Sequence, residues 1–189
     1  MSMVVLSVAF PFAPVGPGAV GGAEQVLWLM DRGLLERGDR SLVIACAGSG
    51  SNAVLHAIPI PDHPWGQQEK RQVYSRWSGE VLRIVRKLRP DVLHMHGLDF
   101  VEYLAEGLSQ EVRTFVTLHL PVSWYPPGAL ARAGVAYVCV SRSQAAAMAA
   151  TGSVHVIPNG IPVLTTPIRH TDVSRVLATG RRYKQVSGA

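Results

Sequence analysis

Val4-Val5-Leu6-Ser7-Val8-Ala9-Phe10, then Gly16-Pro17-Gly18-Ala19-Val20-Gly21-Gly22-Ala23-Glu24, then Val26, Leu27, Met30 and Leu34 make up the stretch that decides the fold. The first run is almost continuously apolar, as a strand buried on both faces must be. The last set recurs at helical spacing and is closed by Gly38, which enters the left-handed conformation after a helix without a Cβ penalty. Between them lies a glycine-rich turn. A second apolar run follows at 42–47, and the alternation repeats with runs at 92–96, 114–118, 136–140 and 154–157. Parallel strands joined by right-handed crossovers give a doubly wound α/β sheet with helices on both faces.

A chain of 189 residues, 48% hydrophobic and 16% charged, can bury one sizeable core and reads as a single domain with a tail. The net charge of +5 and a pI near 9.6 would suit an anionic partner, but the basic residues are spread over several segments, so no nucleic-acid partner is expected. Arg71, Arg76, Arg83, Arg86, Lys87 and Arg89 do gather, interleaved with Val73, Trp77, Val81, Ile84, Val85 and Leu88 at helical spacing. They read as the solvated face of an amphipathic helix; the alternative is peripheral contact of that face with anionic lipid headgroups. Cys46 and Cys139 each lie inside an apolar run and read as core, not as a disulfide or metal pair. Pro11 interrupts the amino-terminal apolar run, which has no cationic stretch before it, and no run nears the roughly 18 apolar residues of a membrane span. The expectation is a soluble, cytoplasmic protein without a cleaved leader.

Several positions could carry chemistry. Glycines between a first strand and a first helix let the backbone approach a ligand closely, and the free N–H groups and positive dipole end of the helix suit a phosphate or carboxylate. The bland alternative is a plain surface loop. Gly16, Gly18 and Gly21 also match G-x-G-x-x-G, the dinucleotide fingerprint. Against it, Pro11, Pro14 and Pro17 lengthen the connection, and the second strand runs into Cys46-Ala47-Gly48-Ser49 with no acid for a ribose hydroxyl. In Asp91-Val92-Leu93-His94-Met95-His96 the alternation puts His94 and His96 on one side, with His96 at the carboxyl end where open α/β sheets bind ligands and His94 packed inside. A histidine pair with no third ligand nearby is a weak metal signal, and no metal site is expected. His119 directly follows the run 114–118 and precedes Pro121, so it points into the same crevice, where a neutral imidazole can donate to or accept from a hydroxyl. Ser141 either caps the next helix or bonds a ligand.

Taken together, Gly21-Gly22-Ala23-Glu24, Asp91-Val92-Leu93-His94-Met95-His96, Thr117-Leu118-His119, Val140-Ser141-Arg142-Ser143-Gln144 and Ile157-Pro158-Asn159-Gly160-Ile161 resemble, in order and spacing, the first domain of the retaining glycosyltransferases of family 4. The resemblance covers residues 1 to about 163. It implies a Rossmann-like domain, the amino-terminal, acceptor-side half of a GT-B enzyme in which two such domains face across a cleft. It also implies a nucleotide-diphosphate sugar as donor substrate with no other cofactor, and a sugar, lipid or small molecule as acceptor. Gly21 and Gly22 would then meet the donor diphosphate, and His119 the reacting sugar or incoming hydroxyl. His96, Ser141, Asn159 and Gly160 would line the cleft or its hinge.

Beyond Ile157 the composition changes. Pro158-Asn159-Gly160 is a turn, the prolines at 162 and 167 read as a linker, and 176–179 reads as one more strand. The expected division is a Rossmann-like domain over 1–163, then a linker and the opening of a donor-binding domain over 164–189. Val176-Leu177-Ala178-Thr179-Gly180-Arg181 resembles the opening strand of the family's second domain, which makes Arg181 a phosphate ligand by implication. Tyr183-Lys184-Gln185-Val186-Ser187 does not continue that pattern, and the paired acids of that domain are not in this chain. Catalysis would then need a separate donor-binding domain as partner. The competing readings are a non-catalytic binding or regulatory module of the same fold and an NAD(P)-binding protein. Acceptor selectivity would lie in the loops 48–52, 61–68 and 120–128, where Trp65, Trp124 and Tyr125 either stack on a ring or serve as hydrophobic anchors.

Overall fold

The computed structural model describes residues 2–61, 66–148 and 153–160. Within them the elements in chain order are β1 (Val4–Val8), α1 (Gly22–Glu36), β2 (Arg40–Cys46), β3 (Val54–Ile58), α2 (Gln67–Leu88), β4 (Val92–Met95), α3 (Leu108–Glu111), β5 (Arg113–Leu118), β6 (Val135–Cys139), α4 (Arg142–Ala146) and β7 (Ser153–Val156). All strand pairs are parallel, and the order across the sheet is β3-β2-β1-β4-β5-β6-β7. The chain therefore runs outward from β1 in one direction, returns through α2, and builds outward in the other. Between β1 and β4 the strand order reverses, as in a doubly wound Rossmann-like sheet.

Side-chain alternation sends the two faces of the sheet to different partners. Leu6, Val8, Leu42, Ile44, Leu93, Met95, Val116 and Leu118 face α2, where Val73, Trp77, Val81, Ile84 and Val85 complete the larger core. Ala9, Val43 and Ala45 face Leu27 of α1. The apolar positions of α2 recur every three or four residues, so its buried stripe is continuous and Arg71, Arg76, Arg83, Arg86, Lys87 and Arg89 stay exposed. Pro90 disfavours helix at the preceding residue, and Arg89 ends α2 in the left-handed region at φ 43°. Gly38 takes φ 79° after α1, as the sequence indicates, with its N–H bonded to Leu35 O and that of Asp39 to Leu34 O.

Two features differ from the sequence reading. β3 is an edge strand that the hydrophobic pattern did not reveal, because Leu55 and His56 are half-buried and Val54 and Ala57 exposed. On α1, Leu27 enters the core, whereas Val26, Met30 and Leu34 are only half-buried. Val26 and Met30 instead line a groove of about 610 Å³ over β4 to β7 with His94, Phe115, Val138 and Ile157. Cys46 and Cys139 are buried free thiols of the core, as expected.

Trp77 is fully buried at the centre of α2, so Trp77→Ala should cost about 3–5 kcal/mol in urea unfolding. Arg86→Ala, on the exposed face of the same helix, should leave the midpoint where it is.

Candidate functional site

The crevice beyond the carboxyl ends of β1 and β4 is closed on one side by the start of α1. A cavity of about 550 Å³ lies there, and Gly21, Gly22, His96, His119, Asn159 and Gly160 all line it, with Phe10, Glu24, Leu98 and Tyr125 among the other walls. Six residues singled out from sequence thus converge from four separate segments. Ser141 lies apart. Its Oγ accepts the Gln144 N–H at 3.1 Å and sits 3.0 Å from Ser143 Oγ, so it caps α4. It borders a different depression, of about 650 Å³, that shares only His119 and Leu120 with the first. Arg181 and Trp65 lie outside the described residues, as does the expected strand at 176–179.

The start of α1 is shaped by its own third residue. Gly21 is the extended residue before the helix, and the first helical bond runs from Gln25 N–H to Gly21 O. The Glu24 carboxylate folds back over Gly21, where any Cβ would overlap it. Burial holds that carboxyl above the usual carboxylate range, with its own backbone N–H opposing the shift. Gly22, by contrast, faces open space: a Cβ there would meet nothing within 4 Å. A side chain at Gly21 would therefore have to displace the Glu24 carboxylate, whereas Gly22 is the glycine that leaves room for something else.

Two imidazoles, His96 and His119, line the cavity, and a third, His94, packs on His96 and borders the groove over β4 to β7. His94 Nε2 lies 2.7 Å from Thr117 Oγ1, and His96 Nδ1 lies 3.1 Å from His119 Nε2. The rings of His94 and His96 approach to 4.2 Å between centroids, and those of His96 and His119 to 5.3 Å at 20°. Burial pushes His94 down to about 4, with the neighbouring His119 adding to the effect, and burial alone takes His119 to about 4. Burial also holds His96 well below the ordinary histidine range, helped by the other two rings. All three are neutral at pH 7, so the two rings that line the cavity offer hydrogen bonds and no positive charge. Among the described residues no group of three or more His, Cys, Asp or Glu is arranged to hold a metal ion.

Residues that sequence reading did not single out hold this geometry. Gln144 Nε2 donates to Leu118 O at 2.9 Å and Leu120 O at 2.7 Å, while its Oε1 accepts from Val140 N–H, so one amide clamps the backbone on both sides of His119. The signal was present as Ser141-x-x-Gln144, a capping-box spacing, although here the glutamine reaches across to β5. Behind His96, a Cβ on Gly97 would overlap the Tyr103 hydroxyl, and the half-buried Asp99 lies beside Tyr74 and Tyr103. No spacing rule would have found that packing. Tyr125 is buried and lines the cavity, whereas Trp124 is 62% exposed.

Residues 20–163 match the model of Glycosyltransferase Family 4. No curated protein matches significantly. Solved structures do match, 21 chains in all, among them a glycosyltransferase from Rickettsia africae ESF-5 with a TM-score of 0.57 and 16% identity over 85% of this chain. The chain spans 44% of that protein's chain. At that identity the likeness is one of fold. Among the described residues no helix is long and apolar enough to cross a membrane.

Because the fold keeps these imidazoles neutral while the unfolded chain protonates them below about 6.5, the unfolded state binds more protons as the medium is acidified. Stability present above pH 6.5 is thus lost as the pH falls toward about 4, the value to which His94 and His119 are held. Urea unfolding at pH 7.5 and pH 5 should register a drop of a few kcal/mol, and His94→Asn should flatten it. An unchanged slope in that variant would show that His94 is not held neutral by the fold.

Proposed function

We propose, from the premise that this chain belongs to glycosyltransferase family 4, that it is the amino-terminal, acceptor-side half of an enzyme moving a sugar from a nucleotide-diphosphate donor to an acceptor hydroxyl, with retention and without a metal. The observation that carries this reading is the single cavity shared by the start of α1, the ends of β4 and β5 and the turn after β7. It sits at the reversal of strand order, where open α/β sheets take their ligands.

The chemistry follows from the donors available. The N–H groups of the first helical turn have no carbonyl partners within the helix, and the helix dipole makes them a seat for developing negative charge. With the Glu24 carboxylate folded over Gly21, the N–H groups of Gly22 and Ala23 are the ones left for a phosphate oxygen. They would stabilise the diphosphate as the bond to the sugar breaks. The proton of the acceptor hydroxyl passes to the departing phosphate, so no side chain need serve as base. His119, neutral, contacts the reacting sugar or the incoming hydroxyl by a hydrogen bond. Asn159 and Gly160 line the hinge side, and Arg181 would approach the phosphates from the donor-binding half, which is either the continuation of this chain or a separate partner. Tyr125 forms part of the acceptor wall. Two buried free thiols suit a reducing, cytoplasmic setting.

Saturation-transfer NMR of this chain with UDP, GDP, their sugar conjugates and NAD tests the reading. Transfer from a UDP or GDP conjugate is expected, weakened roughly tenfold or more by Gly22→Val, whose side chain enters open space and leaves the packing intact. Binding of NAD alone would overturn the proposal in favour of a dinucleotide site. No signal from any nucleotide would remove the donor subsite from this half.

A further inference from the structure

Two side-chain contacts, one bordering the groove over β4 to β7 and the next at the cavity itself, are the same geometry repeated. β4 and β5 pair with His94 opposite Phe115, and both His94 and His96, the latter just beyond β4, reach the side chain two residues further along the β5 segment than the residue in register with them. His94 meets Thr117 in this way and His96 meets His119, both pairs 23 residues apart in sequence. The second rung joins two imidazoles, and a bond between two neutral imidazoles contains one hydrogen. Either His96 Nδ1–H donates to His119 Nε2, or His119 Nε2–H donates to His96 Nδ1.

The far nitrogen of His96 decides between them. His96 is 3% exposed, and its Nε2 is buried with no hydrogen-bond partner. If His119 donated, His96 would carry its own hydrogen on Nε2 as an orphaned N–H inside the protein. If His96 donates, Nε2 holds only an unmet lone pair. Orphaned buried donors are rarer than under-satisfied acceptors, so the second arrangement is favoured. Neutral His119 then carries its hydrogen on Nδ1, which makes no hydrogen bond among the described residues, on a ring that borders the cavity.

We propose that His96 is a positioning residue: by donating Nδ1–H to His119 Nε2 it fixes His119 in the Nδ1–H form, so that His119 can only donate a hydrogen bond to an oxygen of the ligand and cannot take a proton from it. The inference deepens the reading of this cavity as a sugar-transfer site, because a donor at this point polarises or orients a sugar or phosphate oxygen while leaving the acceptor's proton to the departing phosphate. Gln144 supports the same end by clamping the backbone on either side of His119, so the ring has little freedom to leave His96.

Long-range proton–nitrogen NMR of the chain with ¹⁵N-labelled histidine at pH 7.5, where all three rings are neutral, reads the tautomer directly. His119 should show a protonated Nδ1 and a bare Nε2. His96→Asn, which keeps an amide donor near the former Nδ1, should preserve that pattern, and His96→Leu should raise the Nε2–H form of His119 to a substantial population. A bare Nδ1 in the unaltered chain overturns the proposal whatever the variants do. So does an unchanged pattern in His96→Leu, since His119 would then hold its form without His96. Because no ligand is added, these outcomes are independent of the nucleotide panel. Failed nucleotide binding with the expected tautomer would sink the functional reading alone, and the reverse result would sink only the role of His96.

Discussion

β1 is hydrogen-bonded on both flanks, to β2 on one side and β4 on the other, and the rest of the site depends on that arrangement. A strand with parallel neighbours on both sides forces the chain to leave in one direction and return for the other, because parallel neighbours need crossovers. The right-handed sense of those crossovers then sends α1 and α2 to opposite faces. The crevice beyond β1 and β4 is the unavoidable gap where the two directions part. What varies between proteins of this architecture is which side chains meet there, and here the strand period of two sets them. His94 and His96 along and just after β4, and Phe115, Thr117 and His119 along and just after β5, fall on the α1 side because Leu93, Met95, Val116 and Leu118 are claimed by the α2 core.

This explains how much could be read from the chain alone. The central strands announce themselves as apolar runs because both their faces are covered, and the site residues at their carboxyl ends come with them. An edge strand such as β3 carries no such signal, since one flank and part of its faces meet water. Glu24 shows a second limit. An acid in the first turn of a helix reads as a favourable surface charge. Only the folded geometry reveals that this one is 7% exposed and lies on Gly21. Gln144 is a third kind of case, where local spacing names a cap but the second partner, the backbone around His119, belongs to a strand 24 to 26 residues earlier. Long-range contacts of this sort leave no periodicity to read.

The neutrality of these imidazoles also fits the electrostatics of the cavity. A protonated histidine beside the start of α1 would compete with the helix for a phosphate and would repel the developing positive charge of a sugar losing its leaving group. Burying three imidazoles together excludes that charge, since protonating any one of them is opposed by burial, and for His94 and His96 by neighbouring rings as well. Anion stabilisation is thereby left to backbone N–H groups, which carry no proton to gain or lose.

An open helix start has a cost, because unsatisfied N–H groups and a half-buried flank do little to hold α1 in place. The helix is anchored elsewhere. Asp31, 1% exposed in its middle, accepts from Ser51 Oγ at 2.8 Å and from Asn52 N–H at 2.6 Å, tying it to the loop after β2. Its far end is closed by Gly38, and the following Asp39 accepts from Met3 N–H just before β1. Fixed at its middle and its end, α1 can keep the N–H groups of Gly22 and Ala23 unpaired beside the cavity. The local departure from full hydrogen bonding is concentrated at the one place where a ligand would complete it.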